Sequence, residues 1–256
     1  MNKTYRIDCQ PAYLLHSRPY RNTSLIIEVF SRDFGRVGLV ARGARSARSR
    51  WAAVLMPFRR VLLSWQGRGE LKTVAAAETD DAPCWLQGNA LISGLYGNEL
   101  LLRLLHRDDP HPGLLGHYEH LLYALRQAQA STSNRSDILE PVLRRFEKYL
   151  LQELGYGLSL EHDARNGEPV LADRCYTYYP EEGPVLCQQA GAAAFIISGS
   201  TLLALAHDTA LDPQGRREAK QLMRLALRQL LGERPLHSRR LYQTSVATTF
   251  TDSIVN

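Results

Sequence analysis

"GRVGLVARGARSARSRWAAVLMPFRR", residues 35–60, holds seven arginines and no carboxylate. Its first part, RVGLVA, is compact and apolar and has the composition of a β-strand. Its middle, RGARSARSR, is small and basic. Its end, PFRR, runs into a second apolar stretch. A strand that passes into a one-signed connection and back into a strand poses two questions at once: which β-fold this is, and what the arginines face.

Working outward, residues 12–20, 24–31 and 36–41 are rich in Val, Ile, Leu, Tyr and Phe and bounded by turn residues. In the second of these, Leu25, Ile27 and Val29 share one face and Ile26, Glu28 and Phe30 the other. Residues 59–66 and 70–78 flank Gly67-Arg68-Gly69, a hairpin loop. Five short strands within the first 80 residues predict a small closed or nearly closed barrel of the OB type, with an SH3-like barrel as the rival.

Beyond Pro83 the period changes to 3.6. Leu91, Leu95, Leu102 and Leu105 predict a helix over 85–106, which Pro110 and Pro112 terminate. A second helix is expected over 114–130, then a polar linker. A third, 137–154, has Asp137 as its expected N-cap, Pro141 in its early turns and Gly155 as its C-cap. Its apolar stripe is Leu139, Leu143, Phe146, Leu150 and Leu154. Residues 156–190 read as irregular; a short helix from Ser198 and a stronger one over 216–231 complete the pattern. The fold class is therefore α+β and multidomain. The expected divisions are a barrel at 1–80, a mainly helical domain at 81–245 with an irregular insert near 156–195, and a disordered tail at 246–256.

The whole chain has 256 residues and a formal net charge of +5, which leans only mildly toward a polyanionic partner. Segregation says more. Eight arginines and no Asp or Glu lie between Phe34 and Gly69, with acidic residues gathered at 78–81, 108–109 and 181–182. Four scattered cysteines (Cys9, Cys84, Cys175, Cys187) form no CxxC pair. No apolar run is long enough for a membrane span, and the first residues lack a signal-peptide pattern, so the expectation is a cytoplasmic protein that makes no membrane contact.

Searches for catalytic patterns fail: there is no phosphate-binding P-loop, dinucleotide-binding glycine motif, HExxH or GxSxG. The pairs Asp80–Asp81 and Asp108–Asp109 lie at helix boundaries, where solvated carboxylates are routine. His162, Cys175, Cys187 and His207 would need gaps of 13, 12 and 20 residues to form a zinc site, whereas structural zinc sites use closely spaced ligand pairs. No metal or other cofactor is expected, and no catalytic residue.

Patterns for binding succeed better. Arg42, Arg45 and Arg48 are three apart, joined by Ala, Ser and Gly, and Arg50 comes next; with Arg36 and Arg68 they are the candidate nucleic-acid-binding residues. Small neighbours let a phosphate chain approach, and guanidiniums offer forked donors to it. Phe30 and Phe58 read as barrel core, while Trp51 and Trp65 stand open between core and a stacking platform for bases. On the third helix Arg144 and Arg145 adjoin an apolar stripe, a pattern suited to capturing the carboxylate of an acidic, hydrophobic peptide end.

The stretches at 13–50 and 56–78, then "SGLYGNELLLRLL" (93–105), "PVLRRFEKYLLQELGYG" (141–157) and "GEPV" (167–170), resemble the RecO family of bacterial recombination mediators. The resemblance loosens after about residue 170, apart from the Arg-rich final helix and "RPLHSRRLY". It implies an OB-fold joined to a helical domain, without catalysis. Implied activities are binding of single- and double-stranded DNA, annealing of complementary strands, and work with RecR to help RecA replace single-strand-binding protein. It implies a cytoplasmic protein that joins the nucleoid during repair. Many members carry a four-cysteine zinc module; here only Cys175 and Cys187 remain, so the chain resembles the zinc-free branch. The family also engages the acidic C-terminal tail of single-strand-binding protein, and the motif match assigns that contact to Arg144 with Leu143, Leu150 and Leu151. An RNA-binding OB protein of translation or ribosome assembly is the alternative, and a metal-dependent nuclease a more distant one.

Overall fold

The computed structural model describes residues 5–79, 81–82, 85–130, 135–187 and 195–241, with no side-chain description at 135–137. Asp80, Cys84 and the expected disordered tail lie outside the described residues. Strands β1 (Arg6–Tyr20), β2 (Ser24–Ser31), β3 (Gly35–Ala41), β4 (Arg60–Gln66) and β5 (Leu71–Glu78) close into a barrel in the order β1-β2-β3-β5-β4. β4 returns to β1, and β3 and β5 are the parallel pair, Gly38 beside Leu71 and Val40 beside Thr73. Five strands with this crossover make the Greek-key barrel of an OB-fold.

The interior is filled by Leu14, Ile27, Val29, Val37, Leu39, Val61, Leu63, Trp65 and Val74. β1 begins six residues before the expected start. Cys9 takes φ +51° and the register shifts between Ile7 and Gln10, a bulge that breaks the alternation by which the strand would be recognised.

β2 alternates as expected, but both of its faces are covered: Ile26, Glu28 and Phe30 are buried, as are Ile27 and Val29. Helices α1 (Gly88–Leu104) and α2 (Pro112–Ala130) supply the outer cover. Tyr118 of α2 meets Tyr13 and Phe30 edge-on at 5.3 and 6.4 Å. Asn98 of α1 donates to Leu15 O at 3.1 Å and accepts from the Tyr118 hydroxyl at 2.6 Å. These buried polar groups satisfy one another, so the helices are fixed to the barrel by direction as well as by area.

Residues 105–110 then run beside β3. The Asp108 N–H donates to Arg36 O at 2.8 Å. Gly35, at φ +62°, makes room: a Cβ there would fall 1.7 Å from Asp109 O.

Cα packing divides the chain into two units, Met1–Gln129 with Pro235–Asn256, and Ala130–Arg234. The barrel, α1 and α2 share the first unit because the helices cover the barrel's outer face.

The second unit comprises α3 (Arg135–Glu153), the sheet β7-β6-β8 (Cys175–Tyr179 as β6, Gly183–Leu186 as β7, Ile196–Ser198 as β8), α4 (Gly199–Ala206) and α5 (Pro213–Leu231). α3 starts at Arg135, ahead of its expected cap Asp137, whose side chain lies outside the described residues. It ends as the sequence predicts: Gly155 takes φ +81° and the Tyr156 N–H reaches back to Leu151 O at 2.8 Å. β6 and β7 lie inside the stretch expected to be irregular; at five and four residues they are too short for periodicity to show.

That stretch is organised around Asp163, which is 5 % exposed. Its carboxylate accepts backbone N–H bonds from Leu186, Arg165 and Asn166 at 2.6, 2.8 and 3.3 Å. Burial works to raise its pKa, but the three donors prevail and hold it below the ordinary Asp range.

Candidate nucleic-acid interface

Ala41 pairs with Leu25, so the chain leaves β3 beside the β1–β2 turn, residues 21–23. Residues 42–51 then fold into a cap on that end of the barrel. Ala44 and Trp51 enter the barrel core, 9 % and 6 % exposed, and pin the segment at two points. The indole N–H of Trp51 donates to Arg42 O at 2.8 Å. The Arg45 N–H donates to Thr23 O at 2.8 Å, and Ser46 and Ser49 close short turns through Gly43 O and Ser46 O. On the segment pinned in this way, Arg42, Arg45, Arg48 and Arg50 all turn their side chains to solvent.

None of these four has an acidic partner among the described residues. Arg45 Nη1 reaches Arg21 O at 3.5 Å, and the Arg50 guanidinium lies 4.3 Å from the centre of the Trp51 ring. Stacking of this kind holds a guanidinium in place while leaving its donors available. The pairing also brings in a residue that the sequence pattern did not single out. Arg21, exposed in the β1–β2 turn, joins the cap although it lies some twenty residues away in sequence. Its only signal was a basic residue in a turn, and strand register alone shows which turn that is.

The other two candidate arginines lie elsewhere. Arg36 is committed to the barrel's own packing. It pairs with Glu28 at 2.9 Å and donates to the α1 carbonyls of Leu102 and, just past the helix, Leu105. Glu28, buried on the outer face of β2, is also held by Arg107, and these two guanidiniums outweigh burial and keep its carboxyl below the usual range. Arg68 is exposed on the β4–β5 loop. Since Leu71 pairs with Gly38 and Gln66 with Arg6, this loop is at the opposite end of the barrel from the cap.

OB-folds take up oligonucleotides on the face of strands 2 and 3 and on the loops beside it. Here that face is occupied by Glu28, Arg36, Arg107 and Tyr118, which leaves the loop end. Trp51 and Trp65 are both core residues, the latter 1 % exposed with its ring against Phe34 at 5.4 Å.

This barrel and the helices after it match two family models in succession: Recombination protein O N terminal over residues 7–82 and Recombination protein O C terminal over 86–240. The chain belongs to the RecO family. It is 51 % identical to a DNA repair protein RecO of Alkalilimnicola ehrlichii, over 95 % of this chain and 94 % of the relative. It is 44 % identical to one of Nitrosospira multiformis, over 92 % and 95 %, and 43 % identical to one of Coxiella burnetii, over 93 % and 99 %. RecO proteins are non-catalytic mediators of recombination in DNA repair.

Against that RecO background the remaining candidates take their places. On α3, Leu143, Leu150 and Leu151 are interior, the last two with no exposed surface. Arg144 is buried beside Glu147, its Nη2 donating to Oε1 at 2.7 Å and its Nε 2.6 Å from Oε2. Lys148 closes the end of α4 by donating to Leu205 O and to Asp208 at 2.8 and 2.6 Å. Arg145, more exposed, lies 3.5 Å from the same Asp208 and 5.8 Å from the Tyr149 ring centre.

Cys175 and Cys187 lie opposite one another where β6 begins and β7 ends, the Cys187 N–H donating to Cys175 O at 3.0 Å. His162 pairs with Pro169 in an isolated bridge, and His207 lies 3.8 Å from Glu161. Among the described residues no three His, Cys, Asp or Glu side chains come together to hold a metal ion. Asp108 pairs with Lys72 at 2.6 Å, Asp81 with Arg126 at 3.4 Å, and Asp109 lies 3.4 Å from His111. No helix among the described residues is long and apolar enough to cross a membrane.

Proposed function

We propose that this chain grips the phosphate backbone of single- and double-stranded DNA with the arginine cap of its barrel. In this reading it anneals complementary strands and, with RecR, helps load RecA on DNA coated by single-strand-binding protein. The observation that carries it is the cap itself: Arg42, Arg45, Arg48 and Arg50, joined by Arg21, are exposed around a segment pinned by Ala44, Trp51 and its turn hydrogen bonds. Cations with no acidic partner among the described residues meet a polyanion without first breaking an ion pair. The reading needs no cofactor, and the work is cytoplasmic.

The partners enter through the family. For the acidic tail of single-strand-binding protein, Arg144 and its leucines are the motif match. Their burial means that a tail would meet the edge of this cluster, where Arg145 is exposed, before reaching Arg144 itself.

The test is the salt dependence of binding to a labelled single strand. Five phosphates neutralised correspond to a log–log slope of roughly −3.5, since each counts for about 0.7 on a single strand. Replacing Arg42, Arg45 and Arg48 together by Ala should bring the slope to about −1.4. A flat salt response in the parent chain would exclude this mode of binding. An unchanged slope in the variant would move the site away from the cap. A competing RNA strand that displaces the DNA preferentially would favour an RNA-binding role instead.

A further inference from the structure

α5 is the most strongly two-faced helix of the second unit. It carries five cations, Arg216, Arg217, Lys220, Arg224 and Arg228, against one carboxylate, Glu218. Its buried face is Ala219, Leu222, Met223, Ala226 and Leu227. At 100° per residue, Arg217, Gln221, Arg224 and Arg228 fall within a sector of about 60° on the opposite side. All four are exposed.

The cations off this stripe have other work, and so does the carboxylate. Glu218 accepts from Ser198 N–H, Ser198 Oγ, Thr201 Oγ1 and Gln214 Nε2 at 3.0, 2.7, 2.7 and 2.8 Å. Lys220 pairs with Glu140 at 2.7 Å. The side chains of Arg217, Arg224 and Arg228, by contrast, make no hydrogen bond or ion pair to any described residue. Glu181 accepts from Gln229 Nε2 at 3.5 Å, beyond the last arginine.

A solvated helix face ordinarily interleaves opposite charges four apart. This one instead stacks Arg224 under Arg228, four residues apart with no carboxylate between them. Like charges at that spacing repel in the free chain, and an anion along the stripe relieves the repulsion. The stripe rises about 16 Å from Arg217 to Arg228, which spans about five phosphates of one strand of a duplex. It carries no exposed apolar side chain, so it offers nothing to the aromatic end of an acidic peptide. A linear chain of phosphates fits it better.

We propose that Arg217, Arg224 and Arg228 form a second phosphate-binding track, so that each of the two units of this chain binds nucleic acid. The inference rests on the DNA-binding reading of the barrel cap and deepens it: with two tracks, one chain holds two strands.

The test uses the full chain and a single-stranded thymidine oligonucleotide. Changing Arg217, Arg224 and Arg228 together to Ala should flatten by about 2 the log–log salt slope with which a chain already holding one strand takes up a second, with thermal unfolding unchanged. It should also abolish capture of a second labelled strand by a chain already holding one. The same three positions changed to Lys should keep both properties.

If the α5 variant matches the parent while the cap variant loses its slope, the second track does not exist and the cap reading stands. If neither variant changes the slope, the DNA-binding reading of the cap fails as well. If the Lys variant loses binding too, the effect is one of fold and the track is refuted. If the Ala variant loses an acidic, Phe-ended peptide but keeps its DNA slope, the face belongs to a protein partner and the proposal is overturned.

Discussion

Arg144 and Arg45 are chemically the same residue, each next to apolar or small neighbours in sequence, yet their surroundings give them opposite tasks. Arg45 sits on a pinned loop with its charge in water. Arg144 is 7 % exposed, beside a Glu147 that is 1 % exposed. Removing one member of a buried ion pair costs more than removing both, because the survivor keeps its desolvation penalty. Arg144→Ala should therefore lower stability by about 3 kcal/mol in urea titration. The double change Arg144→Met with Glu147→Gln should recover most of that loss. If Arg144→Ala unfolds at the parent's midpoint, the pair is not structural. The same reasoning bears on peptide binding, where a weakened Arg144→Ala variant has to be read beside the double variant. Arginine composition carries no trace of this difference, which lies in what α3 packs against.

Among the elements, α1 shows how a helix serves two ends of the chain. Gly94 lets it sit on Phe58, where a Cβ would come within 2.8 Å of the ring. Asn98 fixes it to β1. Glu99, the next residue, accepts the His237 and Ser238 N–H groups at 2.8 and 2.9 Å and the Ser238 hydroxyl at 2.7 Å. That carboxylate is why the stretch from Pro235 packs with the first unit, 139 residues away in sequence. Glu99→Ala should raise hydrogen exchange at His237 and Ser238 at least about tenfold while leaving the barrel amides protected. Unchanged protection there would mean that Leu236, 2 % exposed, anchors the segment without help. "RPLHSRRLY" was legible as a motif, but its place on α1 was not, since the bonds run to backbone groups that have no residue signature.

On the scale of the whole molecule, carboxylates with depressed pKa values recur in both units. Glu28 is held down by Arg107 and Arg36, Glu99 by Ser238 and His237, Asp163 by backbone donors, Asp208 by Lys148 and Tyr149, and Glu218 by Gln214, Ser198 and Thr201, each against the opposing effect of burial. In the unfolded chain these groups take up protons near their ordinary values, about 4; in the folded chain they do so at lower pH. Their stabilisation is thus complete above the unfolded values and is lost as pH falls through the folded ones. The urea midpoint should hold steady from pH 8 to about 5.5 and fall steeply below about 4.5. Glu28→Gln should start from a lower midpoint and fall less. A midpoint that rises on acidification would contradict the assignment.

The barrel, the succession of helices, the family and the one-signed stretch are all legible along the chain. Each is written in local period, in turn residues such as Gly67 and Gly155, or in ordered motifs, and these survive without knowledge of what lies across the fold. Which arginines face solvent and which are paired inside the fold is visible in three dimensions alone. Arg36 and Arg42 are six residues apart with equal charge, but Glu28 and the end of α1 close over one, while the Trp51 plug turns the other to water. Register, which is fixed by pairings between distant strands, also brought Arg21 to the cap and carried Arg68 away from it. Burial and pairing are properties of neighbours in space, and the order of residues along a chain records them only indirectly.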